Sequence, residues 1–118
     1  MEIKIIKENR PIRREELSEM ARDMFGDMVK AVVDVEQGIM AVGGEFHSEE
    51  EVVLMEKEGS KREHTWGINF YPENPNEEFI EFDSMVNIKP SFGNRSRNIE
   101  DPAIHQKIKE IVKKLVSE

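Results

Sequence analysis

The feature that most constrains the fold is an alternation of apolar and polar residues near the middle of the chain. Residues 28–35, MVKAVVDV, alternate with the period of two that places every second side chain on one face of an extended strand. The apolar face comprises Val29, Ala31, Val33 and Val35. Residues 39–46, IMAVGGEF, form a second β-prone run, and Gly38 between the runs suits the positive φ of a hairpin turn. Residues 28–46 therefore predict a β-hairpin.

Other segments extend this sheet. Residues 2–7 predict a short edge strand or an ordered arm. Residues 64–71, HTWGINFY, alternate so that Trp66, Ile68 and Phe70 share the apolar face. Residues 78–89, EFIEFDSMVNIK, predict a long strand. Residues 47–58 allow two interpretations, because Ser48 and Glu51 fit a helix capping box while the turn signal EGSK favours a strand over about 51–57. We expect the strand.

Two amphipathic helices bracket the strands. Residues 12–25 carry apolar side chains at helical spacing, with Gly26 as the expected C-cap. Residues 102–117 predict the clearest helix, with Asp101 as N-cap and Pro102 in the first turn. Neither helix lies between strands in a βαβ rhythm. The sequence thus predicts one α+β domain over residues 1–118. We expect a two-layer sandwich of a mainly antiparallel meander of four or five strands, with both helices on one face.

Composition excludes several classes of protein. The 118 residues contain no cysteine, which rules out disulfides, thiol catalysis and thiolate metal sites. No apolar run approaches the roughly 20 residues that span a bilayer, and the N-terminal residues lack the apolar stretch of a signal peptide. A cytoplasmic location, no membrane contact and no cofactor are the resulting expectations.

Charge is unevenly distributed along the chain. The formal net charge is −8, yet residues 89–114 carry seven basic and three acidic residues. Residues 28–88 carry fourteen acidic and four basic residues. The acidic total makes nucleic-acid binding an unfavourable interpretation. The basic region either attracts the acidic region within the fold or contacts a local anion.

The loop before the last helix is the first candidate site. Its sequence, FGNRSRNIEDP, combines two arginines with small polar residues just ahead of a helix N-terminus, a composition suited to binding an anion. The candidate anion-binding residues are Asn94, Arg95, Ser96 and Arg97. Asp101 competes with this role, since an N-cap already uses the amides that an anion needs. The favoured interpretation is that Arg95 or Arg97 pairs with an acidic strand residue such as Glu81 or Asp83, with anion binding as the alternative.

A second candidate site follows the double glycine in AVGGEFH. Glu45 and His47 are two residues apart on the predicted strand and share a face, so both could act on one substrate proton or one metal. Ordinary hydrogen bonding at a strand end is the favoured explanation of the pair. Because a third ligand is uncertain, with only His64 and Asp83 as candidates, we expect no metal site.

The polar face of the sheet supplies further candidates. Asn69 and Asn87 are predicted ligand-binding residues on that face, where Lys30 and Tyr71 also lie. The face also carries the carboxylates Asp34, Glu45, Glu81 and Asp83. Paired carboxylates can divide acid and base roles, although a solvated sheet face is the simpler interpretation.

Three segments together resemble a known family. These are AVVDVEQGIMAVGGEFH, EGSKREHTWGINFYP and FIEFDSMVNIKPSFGNRSRNIEDP, within residues 28–116. In combination they resemble a family of small uncharacterised prokaryotic proteins that is classed as a domain of unknown function. The resemblance implies no activity, cofactor or catalytic residue.

The residues support a binding role better than a catalytic one, because no complete catalytic motif is present. The leading hypothesis is a non-enzymatic module that binds itself as a homodimer, a protein partner or a small anionic ligand. The alternative is an enzyme acting on a small phosphorylated or carboxylated substrate, with Arg95 and Arg97 holding the anion and Glu45 with His47 moving protons.

Overall fold

The chain folds into three helices, one large sheet and one two-stranded pair. The computed structural model describes residues 2–118. In chain order the elements are β1 (Lys4–Ile6), β2 (Ile12–Arg13), α1 (Arg14–Met24), β3 (Val29–Asp34), β4 (Ile39–Val42), α2 (His47–Glu58), β5 (Thr65–Phe70), β6 (Ile80–Glu81), α3 (Pro102–Leu115) and β7 (Val116–Ser117). Short 3₁₀ turns at Arg62–His64, Asn76–Glu78, Met85–Asn87 and Pro90–Phe92 connect them.

The sheet is antiparallel, with the spatial order β1-β4-β3-β5-β6. The predicted hairpin is confirmed: β3 pairs with β4 in a register that places Val33 opposite Met40. Gly38 in the connecting turn has a φ of 70°, the conformation that the turn requires. A short turn joins β3 to β4, whereas the antiparallel pairs β1–β4 and β3–β5 join strands that are distant along the chain.

Helices α1 and α3 pack on one face of the sheet. Their buried apolar residues join the inward side chains of β3, β4 and β5 in one hydrophobic cluster. Leu17 of α1, Ile108 of α3 and Ile68 of β5 have no exposed surface in this cluster. The parallel pair of β2 and β7 joins the residues just before α1 to those just after α3. The α+β class and the helices at both ends of the chain are therefore confirmed.

The prediction of a strand over residues 51–57 is wrong, since these residues lie within α2. Glu49 accepts a hydrogen bond from the Phe46 N–H at the start of this helix, and Gly59 ends it in the left-handed conformation. Leu54 is fully buried against Val32 and Ala41 on the sheet face opposite α1 and α3. The face that the sequence left open is thus partly covered by α2, which begins beside Ile68 and ends at the β3–β4 turn, where the Glu58 carbonyl accepts from Gln37.

The prediction of a long strand over residues 78–89 is also wrong. Pairing with β5 is limited to the two residues of β6, after which the chain turns through Met85–Asn87 and Pro90–Phe92. The Ser84 hydroxyl accepts the Val86 N–H at the first of these turns, a local bond that competes with strand pairing.

The last helix begins as predicted. The Asp101 carboxylate accepts the Ala103 N–H at 2.9 Å, and Pro102 occupies the first helical position. None of the helices in residues 2–118 combines the length and the apolar character needed to cross a bilayer.

Replacing Leu54 with alanine tests whether α2 stabilises the sheet. We expect Leu54→Ala to lower the free energy of unfolding by about 3 kcal/mol, because a fully buried leucine is removed from a packed site. Val52→Ala, on the same helix but 47% exposed, should change it by less than about 0.5 kcal/mol. Urea unfolding followed by circular dichroism measures both values, and equal losses would contradict this packing.

Candidate functional site

A groove of about 510 Å³ opens between the start of α2 and the sheet edge formed by β5 and β6. This volume is in the range of small-molecule sites. We call it the polar groove. Its polar lining consists of Lys30, His47, Ser48, Asn69, Tyr71, Glu81, Asp83, Ser84 and Arg97, and its apolar lining of Met28, Phe46, Met85 and Val86.

Strand register brings three of the polar side chains into one row. Lys30 of β3 lies opposite Asn69 of β5, and Asn69 lies opposite Glu81 of β6. Directly opposed residues of an antiparallel sheet project from the same face. The floor of the polar groove is therefore a row of a cation, an amide and a carboxylate across three neighbouring strands.

Hydrogen bonds hold the amide and the carboxylate of this row in place. The Asn69 amide nitrogen donates to Glu81 Oε1 at 2.8 Å and to the Asp83 carbonyl at 3.0 Å. The Tyr71 hydroxyl donates to the same Glu81 oxygen at 3.2 Å. Asn69 is 5% exposed, and its buried Oδ1 has no hydrogen-bond donor in proper geometry within residues 2–118. An unsatisfied buried acceptor is costly and calls for an explanation.

Arg97 neutralises a carboxylate of the protein itself. Its Nε lies 2.7 Å from Asp83 Oδ1 and its Nη2 lies 3.3 Å from Asp83 Oδ2, the two-pronged geometry that favours arginine over lysine. The side chains are 56% and 42% exposed, so the pair contributes little to stability. It instead fixes two opposite charges at one end of the polar groove.

His47 enters the polar groove from the first position of α2. Its Nε2 donates to the Ile68 carbonyl at 2.9 Å, and because a carbonyl can only accept, Nδ1 is left as the acceptor nitrogen. Burial lowers the pKa of His47 below its ordinary value of 6.5, and the Lys30 ammonium acts in the same direction. The hydrogen bond to Ile68, the nearby Asn69 side chain and the Asp83 charge oppose this shift. The geometry favours a neutral imidazole.

Lys30 is held by aromatic rings and not by a carboxylate. Its Nζ lies 5.1 Å from the centre of the Phe25 ring and 5.4 Å from that of Phe46, both within cation–π range. Within the described part of the chain, no carboxylate oxygen approaches Lys30 to ion-pairing distance. Its positive charge is therefore available to a ligand.

The buried Glu50 carboxyl in the first turn of α2 bonds to the segment that leads into this helix. Glu50 has no exposed surface, and its Oε2 accepts the Gly44 N–H at 2.9 Å. Burial raises the pKa of Glu50 well above its ordinary value. Burial, followed by the Glu81 charge, also raises the pKa of Tyr71. Side chains with shifted pKa values are common at functional sites and also occur in structural hydrogen-bond networks.

The sequence-predicted site residues are divided between this groove and other places. His47, Asn69 and Arg97 line the polar groove. Glu45 lines a separate groove beside Ile3, and Arg95 and Ser96 lie on the loop surface, exposed and half-exposed. The predicted pair of Glu45 and His47 thus faces two different grooves, because residues 47–58 form a helix and not a strand.

Asn94 serves the loop that contains it. Its amide nitrogen donates to the carbonyls of Asn87, Ser96 and Asn98, and its Oδ1 accepts the Glu100 N–H. Glu100 in turn accepts the Arg95 N–H. These bonds use the polar groups of the loop internally.

Asn87 is buried and completes the edge of β5. Its Oδ1 accepts the Gly67 N–H at 2.8 Å, while its amide nitrogen donates to the Gly67 and Arg97 carbonyls at 2.9 Å each. A Cβ on Gly67 would lie 2.5 Å from Ser84, so only glycine permits this approach. Asn87 thus positions the segment that carries Asp83 and Arg97.

The four predicted face carboxylates do not act together. Asp34 is 1% exposed and accepts hydrogen bonds from the Gln37 and Ser60 side chains and the turn amides near the β3–β4 hairpin. Glu81 and Asp83 line the polar groove. No cluster of three His, Asp or Glu side chains in residues 2–118 has the arrangement of a metal site.

Sequence reasoning placed Lys30 on the polar face but did not recognise it as a site residue. It also missed Ser48, whose place at the start of α2 depended on identifying that helix. The alternation in β3 was the available signal for Lys30, since it set this residue on the same face as Asn69.

A family described as a protein of unknown function, DUF5674, matches residues 4–115. The chain belongs to this family. The DUF5674 match spans all three helices and the whole five-stranded sheet, in agreement with the resemblance seen in the sequence. No curated protein and no solved structure is significantly similar to the chain.

Replacing Asn87 tests its role at the β5 edge. We expect Asn87→Ala to lower the free energy of unfolding by about 3 kcal/mol, because the buried N–H and carbonyl of Gly67 both lose their partner. Asn9→Ala, at an exposed position, is the control and should change it by less than about 0.5 kcal/mol. A loss below about 1 kcal/mol on denaturant unfolding would contradict the assigned role.

The pH dependence of stability tests the environment of His47. Because its pKa is lowered in the folded protein, the unfolded chain binds the proton more readily, and stability is lost as pH falls below the ordinary value of 6.5. We expect wild type to lose more unfolding free energy than His47→Gln between about pH 8 and pH 5. All other titrating groups are shared, so the difference between the two curves isolates His47. Parallel curves would show that this pKa is not lowered.

Proposed function

We propose that the polar groove binds a small molecule through an anionic group. The observation that carries this proposal is the placement of Lys30, a cation without a carboxylate partner in the described residues, in the same groove as the start of α2. The first amides of a helix point away from its body and carry the positive end of its dipole. A negatively charged group between Lys30 and this helix end meets attraction from both.

The amides at the start of α2 support this role. Within residues 2–118, the N–H groups of His47 and Ser48 have no acceptor, whereas those of Glu49 and Glu50 bond to the Phe46 carbonyl. Asn69 lies in the wall of the same groove, where its side chain interacts with that of His47. An anionic group at this end of the helix would accept hydrogen bonds from the free N–H groups of His47 and Ser48.

The proposed anion site therefore lies at the start of α2 and not in the loop at 92–98 that the sequence predicted. Of the loop residues, Arg97 lines the polar groove, and its Nη1 is not used by the bidentate pair with Asp83. Arg97 therefore contributes from the opposite side. Binding requires only that these groups contact the anion, and none of them has to transfer a proton.

A second candidate function is an enzyme that uses His47 as a general base. The specific observation is the hydrogen bond to Ile68, which places the proton on Nε2 and leaves Nδ1 able to accept one. The lowered pKa keeps that nitrogen available at neutral pH. Glu45 has no part in this version, because it lines a different groove.

Titration with inorganic phosphate tests the binding proposal. At constant ionic strength, we expect the backbone amide resonances of His47 and Ser48 to shift on addition of phosphate. Lys30→Gln should weaken the affinity about tenfold, the value of one hydrogen bond to a charged group. Lys57→Gln, an exposed lysine in the last turn of α2, is the matched control.

Two results would reject the proposal. One is the absence of shifts at His47 and Ser48 at phosphate concentrations that saturate weak sites. The other is an equal effect of Lys30→Gln and Lys57→Gln, which would indicate general charge screening and not a site.

A further inference from the structure

We infer that the ligand of the polar groove is a nucleoside monophosphate, a molecule that joins a phosphate, a sugar with hydroxyl donors and a flat aromatic base. This inference rests on the proposed anion site and adds what the remainder of the ligand must be. Each part of such a molecule has a counterpart in the lining of the groove.

The rim of the groove carries apolar side chains that the fold does not bury. Met85 is 68% exposed and Phe46 is 55% exposed, the highest values among the large apolar side chains of residues 2–118. Both line the polar groove. A Phe face and a methionine thioether are favourable surfaces for a flat aromatic ring. An inorganic anion or a sugar phosphate would leave both of them in water.

Spacing connects this rim to the anion site. The Lys30 ammonium lies 5.4 Å from the centre of the Phe46 ring. Because the ammonium lies over one face of this ring, a flat base would stack on the opposite face, and the sugar of a nucleotide would link it to a phosphate beside Lys30.

The middle of the groove offers acceptors. Glu81 Oε1 is occupied by Asn69 and Tyr71, but within the described residues its Oε2 has no donor. Glu81 Oε2 is thus an open acceptor in the floor of the groove. Carboxylate and amide oxygens reject further negative charge and require O–H or N–H donors. Sugar hydroxyls and the amino groups of a base are such donors.

The experiment compares adenosine monophosphate with ribose 5-phosphate by isothermal titration calorimetry on the full chain. The two ligands share the phosphate and the sugar, so their difference isolates the base. We expect adenosine monophosphate to bind at least about fivefold more tightly, the lower end of what stacking of one base contributes.

Variants at the rim test where the base binds. Phe46→Leu keeps apolar bulk but removes the aromatic face. We expect it to weaken adenosine monophosphate by a larger factor than ribose 5-phosphate, which loses only the contact of Phe46 with Lys30. Phe92→Leu changes a similarly exposed phenylalanine outside the groove and should have no effect. Amide chemical shifts confirm that both variants remain folded.

The outcomes separate this inference from the proposed function. Equal affinities for the two ligands, with shifts still at His47 and Ser48, would overturn the nucleotide inference and retain the anion site. A base-dependent gain that Phe46→Leu does not reduce would also overturn it. If phosphate, ribose 5-phosphate and adenosine monophosphate all fail to bind, the proposed function fails and the inference fails with it.

Discussion

The outer edge of β5 is the constraint on which the rest of the structure depends. A buried strand edge must have its N–H and carbonyl groups satisfied. The backbone of β5 pairs with β6 at Asn69 and Phe70. Towards the start of β5, side chains satisfy the backbone groups along this edge. The Asn87 amide bonds both backbone groups of Gly67, and the buried Lys89 ammonium donates to the Thr65 carbonyl. Two side chains thus continue a ladder that a long strand would otherwise provide.

This arrangement determines where the polar groove lies. Because Asn87 and Lys89 hold residues 84–98 against β5 by their side chains, the chain is free to turn through Met85–Asn87 and carry Asp83 and Arg97 towards the start of α2. The cost is visible at Lys89, where burial, followed by the nearby Arg62 charge, lowers the pKa to about 8. The Trp66 ring, 3.9 Å from the Lys89 ammonium, offsets part of that cost.

The two incorrect strand predictions have physical explanations. In α2, only Leu54 among the apolar side chains is fully buried, while Val52 and Met55 are more than 40% exposed. The helix therefore lacks the continuous apolar stripe by which a helix is recognised in a sequence. In residues 78–89, alternation was genuine, but bonds from Ser84 and Asn87 competed with the ladder. For the site, alternation placed Asn69 on the polar face, whereas the roles of Asn94 and Asn87 depended on carbonyls that no local pattern reveals.

By itself, the sequence determined the α+β class, the hairpin of β3 and β4, the apolar face of β5 and the capped start of α3, because each of these depends on neighbouring residues along the chain. Tertiary structure decided that α2 is a helix, that Asp83 is the carboxylate that pairs with Arg97, and that Lys30, His47 and Asn69 share one groove. These outcomes join residues from 14 to 39 positions apart. Their energies come from burial and from hydrogen-bond partners that exist only once the sheet has formed.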